Sequence, residues 1–314
     1  MARLAYAAAT LFGVFLLCFL LLHAMPGDPL DRLDEPGIPA GEAERTRRAL
    51  GLEAPLPEQL LRTLASYARG DLGTSTGRKA PVADVLFRAI PATMLLGATA
   101  LLLAYGAGLP AALLALSLPS AGRKTFEKIA IVLAVLPRFW LGVLLVLVFH
   151  SLLGWLPASH SGPPGGGGGL ASRIPHLLLP ALALAIPAAG SIARYELSIM
   201  EAALDSPHVR TSRATGRLGL PLLARAVLRP SLGAAVALAG LDLQVLVSGT
   251  LVVETVFSWP GLGRITAEAV LGADYPLALA ASLCSAAAVV GGRMLAAEAA
   301  RQLDPRLRSA EGET

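Results

Sequence analysis

Few residues in this 314-residue sequence have the type and spacing that chemistry requires. Gly73-Thr74-Ser75-Thr76-Gly77 matches the G-x-S-x-G pattern, in which a serine nucleophile sits on a sharp turn between a buried strand and a helix. Here the stretch before it is Ala68-Arg69-Gly70-Asp71-Leu72, a polar turn, so Ser75 is not expected to act as a nucleophile. Gly77-Arg78-Lys79 lacks the G-x-x-x-x-G-K-[ST] spacing of a phosphate loop, so the chain has no nucleotide site of its own. His23, His150 and His160 fit no metal-ligand spacing. Cys18 and Cys284 lie in separate apolar runs and can build neither a disulfide framework nor a metal motif. The reading is therefore no catalytic residue, no metal and no cofactor bound by this chain.

Two other residues are expensive where they stand. Arg138 and Asp242 fall inside apolar runs, and an intramembrane charge costs roughly 2.5–3.5 kcal/mol on insertion scales, so it needs a partner or a role. Counted from Ile129 and from Ser231 at about 1.5 Å per residue, they lie about 14 and about 17 Å deep. Opposite charges at similar depth are expected to pair, or to be solvated separately along a translocation path that also includes Gln244.

The elements that must position these residues are membrane spans. The chain is 54% hydrophobic and only 15% charged, against about a quarter charged for a soluble domain. Its apolar residues fall in blocks of the length needed to cross a bilayer, about 20 residues of helix. The expected spans are Leu4–Leu22, Ile90–Leu118, Ile129–Leu153, Ile174–Ala193, Ser231–Val253 and Leu277–Leu295. The first is read as retained rather than cleaved, because no A-x-A site precedes Pro26. Pro175, Pro180 and Pro187 should kink the fourth. Residues 25–88 form one extended polar segment of mixed charge, with a small amphipathic helix expected over Gln59–Ala68. Pro163-Pro164 and Gly165 to Gly169 make a flexible external loop.

Charge then sets the orientation. Short loops rich in Lys and Arg stay in the cytoplasm, and Arg123, Lys124, Lys128, Arg194 and Arg293 all fall at ends that this rule places inside. The net charge of +4 is explained by such loops, and no aromatic-plus-basic pattern of a nucleic-acid binder is present. The most cationic segment, Ser206–Pro230, carries Arg210, Arg213, Arg217, Arg225 and Arg229 and no acid. Gly216 and Pro221 divide it into two expected short helices, enough to present a surface to another protein.

In this order and spacing, several pieces of the chain resemble the permease subunits of binding-protein-dependent ATP-binding cassette importers, in the dipeptide/oligopeptide/nickel branch. They are Met25-Pro26-Gly27-Asp28-Pro29, Gly70-Asp71-Leu72-Gly73, Pro91-Ala92-Thr93, Phe139-Trp140-Leu141-Gly142 and Gly154-Trp155-Leu156-Pro157-Ala158-Ser159. The most specific are Val209-Arg210-Thr211-Ser212-Arg213-Ala214-x-Gly216 and Val253-Glu254-Thr255-Val256-Phe257-Ser258-Trp259-Pro260-Gly261-Leu262-Gly263. The tail Leu303-Asp304-Pro305-Arg306-Leu307-Arg308 completes the set. The resemblance implies an all-α membrane protein of six transmembrane helices, with type I importer permease architecture and both termini cytoplasmic. Residues 1–24 would be the first span, 25–88 an extracytoplasmic segment, 89–308 a five-helix core with its coupling loop at about 194–230, and 309–314 a tail.

The same resemblance implies that Arg210, Thr211, Ser212, Arg213, Ala214, Gly216 and Leu228 couple the chain to a cytoplasmic ATPase. Small residues there let another backbone approach, and the arginines supply peripheral charge contacts. The literal Glu201-Ala202-Ala203 is a decoy for the family's Glu-Ala-Ala signature, since counting from Glu201 to its glycine position lands on Pro207, whereas counting from Arg210 lands on Gly216. Thr215 stands where this branch usually has Lys. Glu254, Trp259, Pro260, Gly261 and Gly263 form an external motif. The implied partners are a second permease subunit, identical or paralogous, two ATPase subunits carrying ATP and Mg, and an extracytoplasmic binding protein, all at a bacterial or archaeal inner membrane. Peptides are the expected cargo, with nickel or another small solute as the alternative. A secondary carrier or exporter, for which no inverted repeat is found, and an intramembrane hydrolase are the rival classes.

Overall fold

The computed structural model describes residues 2–24, 54–158, 170–215, 231, 235, 238–239 and 250–303. They are helical apart from one short hairpin. The elements are α1 (Ala2–Ala24), α2 (Leu56–Ala68), β1 (Thr74–Ser75), β2 (Ala80–Pro81), α3 (Val82–Leu116), α4 (Ser120–Val135), α5 (Arg138–Leu145), α6 (Leu170–Leu204), α7 (Pro207–Ala214), α8 (Leu262–Leu271) and α9 (Tyr275–Leu303). The antiparallel hairpin pairs Thr74 with Pro81 and Ser75 with Ala80. Residues 250–256 are also helical.

Among the described residues, four helices are long and apolar enough to span a membrane: Leu4–Ala24, Val82–Leu116, Ser172–Leu204 and Tyr275–Leu295. The expected third span is not one straight helix. α4 and the helical run Arg138–Leu152 meet at 93°, which makes five spans if the bent pair counts as one. Pro137 causes the break. It forces the residue before it out of helical geometry, and Leu136 is extended at ψ 129°. Beyond Leu145 the helix widens into a π-helical stretch, Val146–Leu152. The depth count for Arg138, which assumed a continuous rise from Ile129, therefore does not hold; Arg138 opens α5 at the corner. Most of the expected span Ser231–Val253, with Asp242 and Gln244, lies outside the described residues.

The fourth span runs on to Leu204, well past Arg194, and stays helical through Pro175, Pro180 and Pro187. Arg194 does not end it because Arg194 points outward, while Ile192, Ala193, Leu197 and Met200 are buried on the other side.

The chain forms two compact units: residues 1–93 with 260–288, and residues 94–259 with 289–314. In the first, Phe15, Phe19 and Leu22 of α1 pack with Val82, Val85 and Leu86 of α3, Leu262 and Ile265 of α8, and Leu277 to Ala281 of α9. In the second, α6 lies tightly on α4 and α3. A Cβ on Gly190 would come within 2.7 Å of the Ala130 carbonyl oxygen and 2.9 Å of the Ala134 nitrogen. A Cβ on Gly108 would come within 2.9 Å of the Ile192 side chain. Such close approach through small residues replaces the hydrophobic drive that lipid cannot supply.

Candidate functional site

α7 is where the sequence predicts a coupling helix. Pro207 occupies its first position, where a missing N–H costs nothing, and the Ser206 carbonyl accepts from Val209 and Arg210 at 3.1 and 3.2 Å. Val209 is fully buried in a cluster with Ala112, Ala115 and Leu116 of α3 and Leu197 and Met200 of α6. Arg210, Thr211 and Ala214 are exposed. Val209 thus anchors the helix while Arg210, Thr211 and Ala214 face outward. Gly216, Arg217 and Leu228, together with the second expected short helix, lie outside the described residues.

Beside this anchor, Arg123 near the start of α4 donates to the Glu201 carboxylate at 2.7 Å and to the carbonyls of Leu116 and Leu118, each at 3.2 Å. Glu201, which the register count had set aside, ties α6 to α4 and to the end of α3. Glu196 sits one turn earlier on α6 with a fully buried side chain. The Ser231 hydroxyl is near enough to bear on its carboxylate. Neither carboxylate oxygen reaches hydrogen-bonding geometry with any described residue. Sequence reading missed Glu196 because it closed the fourth span at Arg194.

The motif expected at the external end divides at its middle. Glu254, Phe257 and Trp259 are buried in the second unit, where the Trp259 N–H donates to the Glu254 carbonyl at 2.8 Å. There Gly142 makes room for Phe257, whose ring would lie 3.0 Å from a Cβ at that position. In the first unit Gly261 precedes α8, Leu262 and Gly263 are buried, and the Leu262 N–H donates to the Thr93 hydroxyl at 2.8 Å. Sequence pieces noted separately, Phe139–Gly142 with Phe257 and Pro91–Thr93 with Leu262, are thus joined in space.

Ser75 is no nucleophile elbow. A turn and β2 follow it rather than a helix, and its hydroxyl donates to the buried Asp274 carboxylate. Asp274 also accepts from the N–H groups of Thr76 at 3.3 Å and Gly77 at 3.1 Å, and caps α9 by accepting from Leu277 at 3.3 Å. Nearby, Arg78 pairs with Glu268 at 2.7 Å. Lys79 and Ala273 flank this hub at φ +50° and +52°, backbone strain that the network holds in place. An aspartate directly before an apolar run was the available signal for Asp274. Among the described histidines, His150 contacts the Leu156 carbonyl and His23 meets Phe19 and Gln59. Among the described residues no cluster of three or more His, Cys, Asp or Glu could hold a metal.

Spans joined by tight packing, with an anchored helix displaying arginine and small residues, describe a polytopic membrane transport component. A family model described as the binding-protein-dependent transport system inner membrane component matches residues 104–309. The chain is 32% identical to the oligopeptide transport system permease protein AppB of Bacillus subtilis, covering 95% of both chains. It is 33% identical to a putative peptide permease protein of Brucella ovis, over 98% of this chain and 97% of that one. Identity is also 33% to the glutathione transport system permease protein GsiC of Escherichia coli K12, over 88% and 87%. This chain belongs to the family of binding-protein-dependent transport system inner membrane components. It is a non-catalytic, multi-pass inner-membrane permease subunit of an ATP-binding cassette importer.

Proposed function

We propose that this chain is one half of a peptide-importing pore. Six spans provide half a pore, so a second permease subunit, identical or paralogous, completes it. Two ATPase subunits dock from the cytoplasm and hold the ATP and Mg, and an extracytoplasmic protein delivers cargo to the side that carries residues 25–88. The observation that carries the coupling reading is the division of α7 into a buried Val209 and an exposed Arg210, Thr211 and Ala214. A helix anchored this way transmits force to α3 and α6 when a partner grips its outer face. Closure of the ATPases then switches the spans between inward- and outward-facing states by rigid-body movement of packed elements. Arg138, Asp242 and Gln244 belong to the path, and Glu254, Trp259, Pro260, Gly261 and Gly263 to the external end.

Peptides are the cargo that the relatives' names support, two of the three being described as peptide permeases and the third as a glutathione, hence tripeptide, permease. Uptake of a radiolabelled dipeptide, a hexapeptide and glutathione by proteoliposomes holding the complete transporter tests this. ATP-dependent peptide uptake is the expected result. Nickel uptake without any peptide uptake overturns the cargo, and uptake that survives Gly216→Trp with ATPase assembly intact overturns the coupling assignment.

A further inference from the structure

A cavity of about 530 Å³ in the first unit has no part in the roles above. It lies where α1 ends and α9 begins, roofed by α2. Its lining combines apolar Phe19, Leu22 and Leu279 with a polar group, termed the rim, of Arg62, Arg69, Tyr67 and His23.

Among the described residues the rim is short of acceptors. The two ring nitrogens of His23 lie 2.8 Å from the Phe19 carbonyl oxygen and 3.0 Å from Gln59 Oε1. The Gln59 amide nitrogen donates to the Ala54 carbonyl at 2.8 Å, which fixes Oε1 toward His23. Both ring nitrogens are thereby engaged, so the ring offers the cavity no free acceptor. The Tyr67 hydroxyl is buried with no hydrogen-bond partner among the described residues. Burial, and secondarily the Asp71 charge, push this phenol above its ordinary range, which keeps it a donor. Among the described residues Arg62 is engaged by Glu58 one turn away, an exposed pair of the kind worth little and readily exchanged. The one acid among the described lining residues, Asp71, already accepts from the Gly73 N–H at 2.9 Å.

The surroundings identify the source of an anion. Only 17% of the α1 span is buried, and Leu61 and Leu64 of α2 are 65% and 37% exposed beside the rim. An amphipathic helix with such a face lies in the headgroup layer, and arginines there take a phosphate by charge-assisted, bidentate hydrogen bonds. We propose that this cavity binds an anionic phospholipid of the outer leaflet. Its phosphate meets Arg62, Arg69 and the Tyr67 hydroxyl, and an acyl chain runs over Phe19, Leu22 and Leu279. The proposal rests on α1 and α9 being membrane spans and is independent of the cargo.

The test is native mass spectrometry of the complete transporter, released from nanodiscs of equal phosphatidylglycerol and phosphatidylcholine. Retention of phosphatidylglycerol over phosphatidylcholine is expected, falling roughly tenfold in Arg62→Ala/Arg69→Ala, the loss of one charge-assisted hydrogen bond or more. Tyr67→Phe should lower retention less, and the unfolding midpoint of both variants without lipid should match the parent. A diazirine-bearing phosphatidylglycerol should label peptides within residues 56–73. Equal retention of the two lipids, retention unaffected by the arginine change, displacement by soluble glycerol phosphate, or labelling confined to other segments would each overturn the proposal.

Discussion

Asp274 and Glu196 are both buried acids, 3% and 0% exposed, yet they are treated in opposite ways. Asp274 gathers a hydroxyl and the N–H groups of Thr76, Gly77 and Leu277. It joins a hairpin to the start of a span almost 200 residues away in sequence. Glu196 has the Ser231 hydroxyl nearby, but neither carboxylate oxygen is in hydrogen-bonding geometry with a described residue. A buried polar group fully supplied with donors stabilises its surroundings, whereas one left unsupplied costs free energy. The first unit is therefore pinned by a polar hub. The second is held by close backbone approach, apolar packing and the half-exposed Arg123–Glu201 pair, and carries Glu196 at a cost.

The largest effect should come from removing the hub. Asp274→Ala leaves the Ser75 hydroxyl and the Thr76, Gly77 and Leu277 N–H groups unpaired, a loss of about 4 kcal/mol, seen as a lower unfolding midpoint in detergent. Asp274→Asn, which keeps one oxygen, should lose about half as much; equal loss in both variants would mean that charge rather than acceptor count matters. Gly190→Ala tests the packed unit. It sets a methyl against the Ala130 carbonyl and the Ala134 nitrogen, costing about 3 kcal/mol, and an unchanged midpoint would break the contrast.

Smaller in stability but sharper in function is Val209→Ala. Loss of two buried carbons costs about 1.5 kcal/mol, and peptide-stimulated ATP hydrolysis should fall by more than basal hydrolysis. Equal falls would argue against α7 as the transmitter. The smallest effect has the opposite sign. Glu196→Met removes the unsupplied carboxylate and should raise stability by about 1 kcal/mol. A drop instead would show that Glu196 has a partner outside the described residues.

How much of this could be read from the sequence depended on whether the signal was local. The spans α1, α3 and α9 and the small helix α2 follow from apolar runs and periodicity, and the motif pieces carry the family. The corner at Pro137 was visible as a proline but not as a 93° turn, because bilayer-length apolarity says nothing about direction. The fourth span ran past Arg194 because one charge on the outward face of a helix does not end it. Asp274 and Thr93 acquired partners 198 and 169 residues away, and no periodicity reports such pairings. Val209 was read as part of a motif, but its burial against α3 and α6 is a tertiary fact.

The corner between α4 and α5 also carries an order of events. A sharp turn within an apolar segment is tolerated where it is buried in protein, and the surface packed directly against α4 just before the corner is Gly190 of α6. That surface is synthesised later. While the nascent chain emerges, residues 120–152 have no settled seat until residues 170–204 have entered the membrane beside them. The bent hairpin is a late-maturing element, and a chain halted before Leu170 should leave it open to protease, with protection appearing only once α6 is complete.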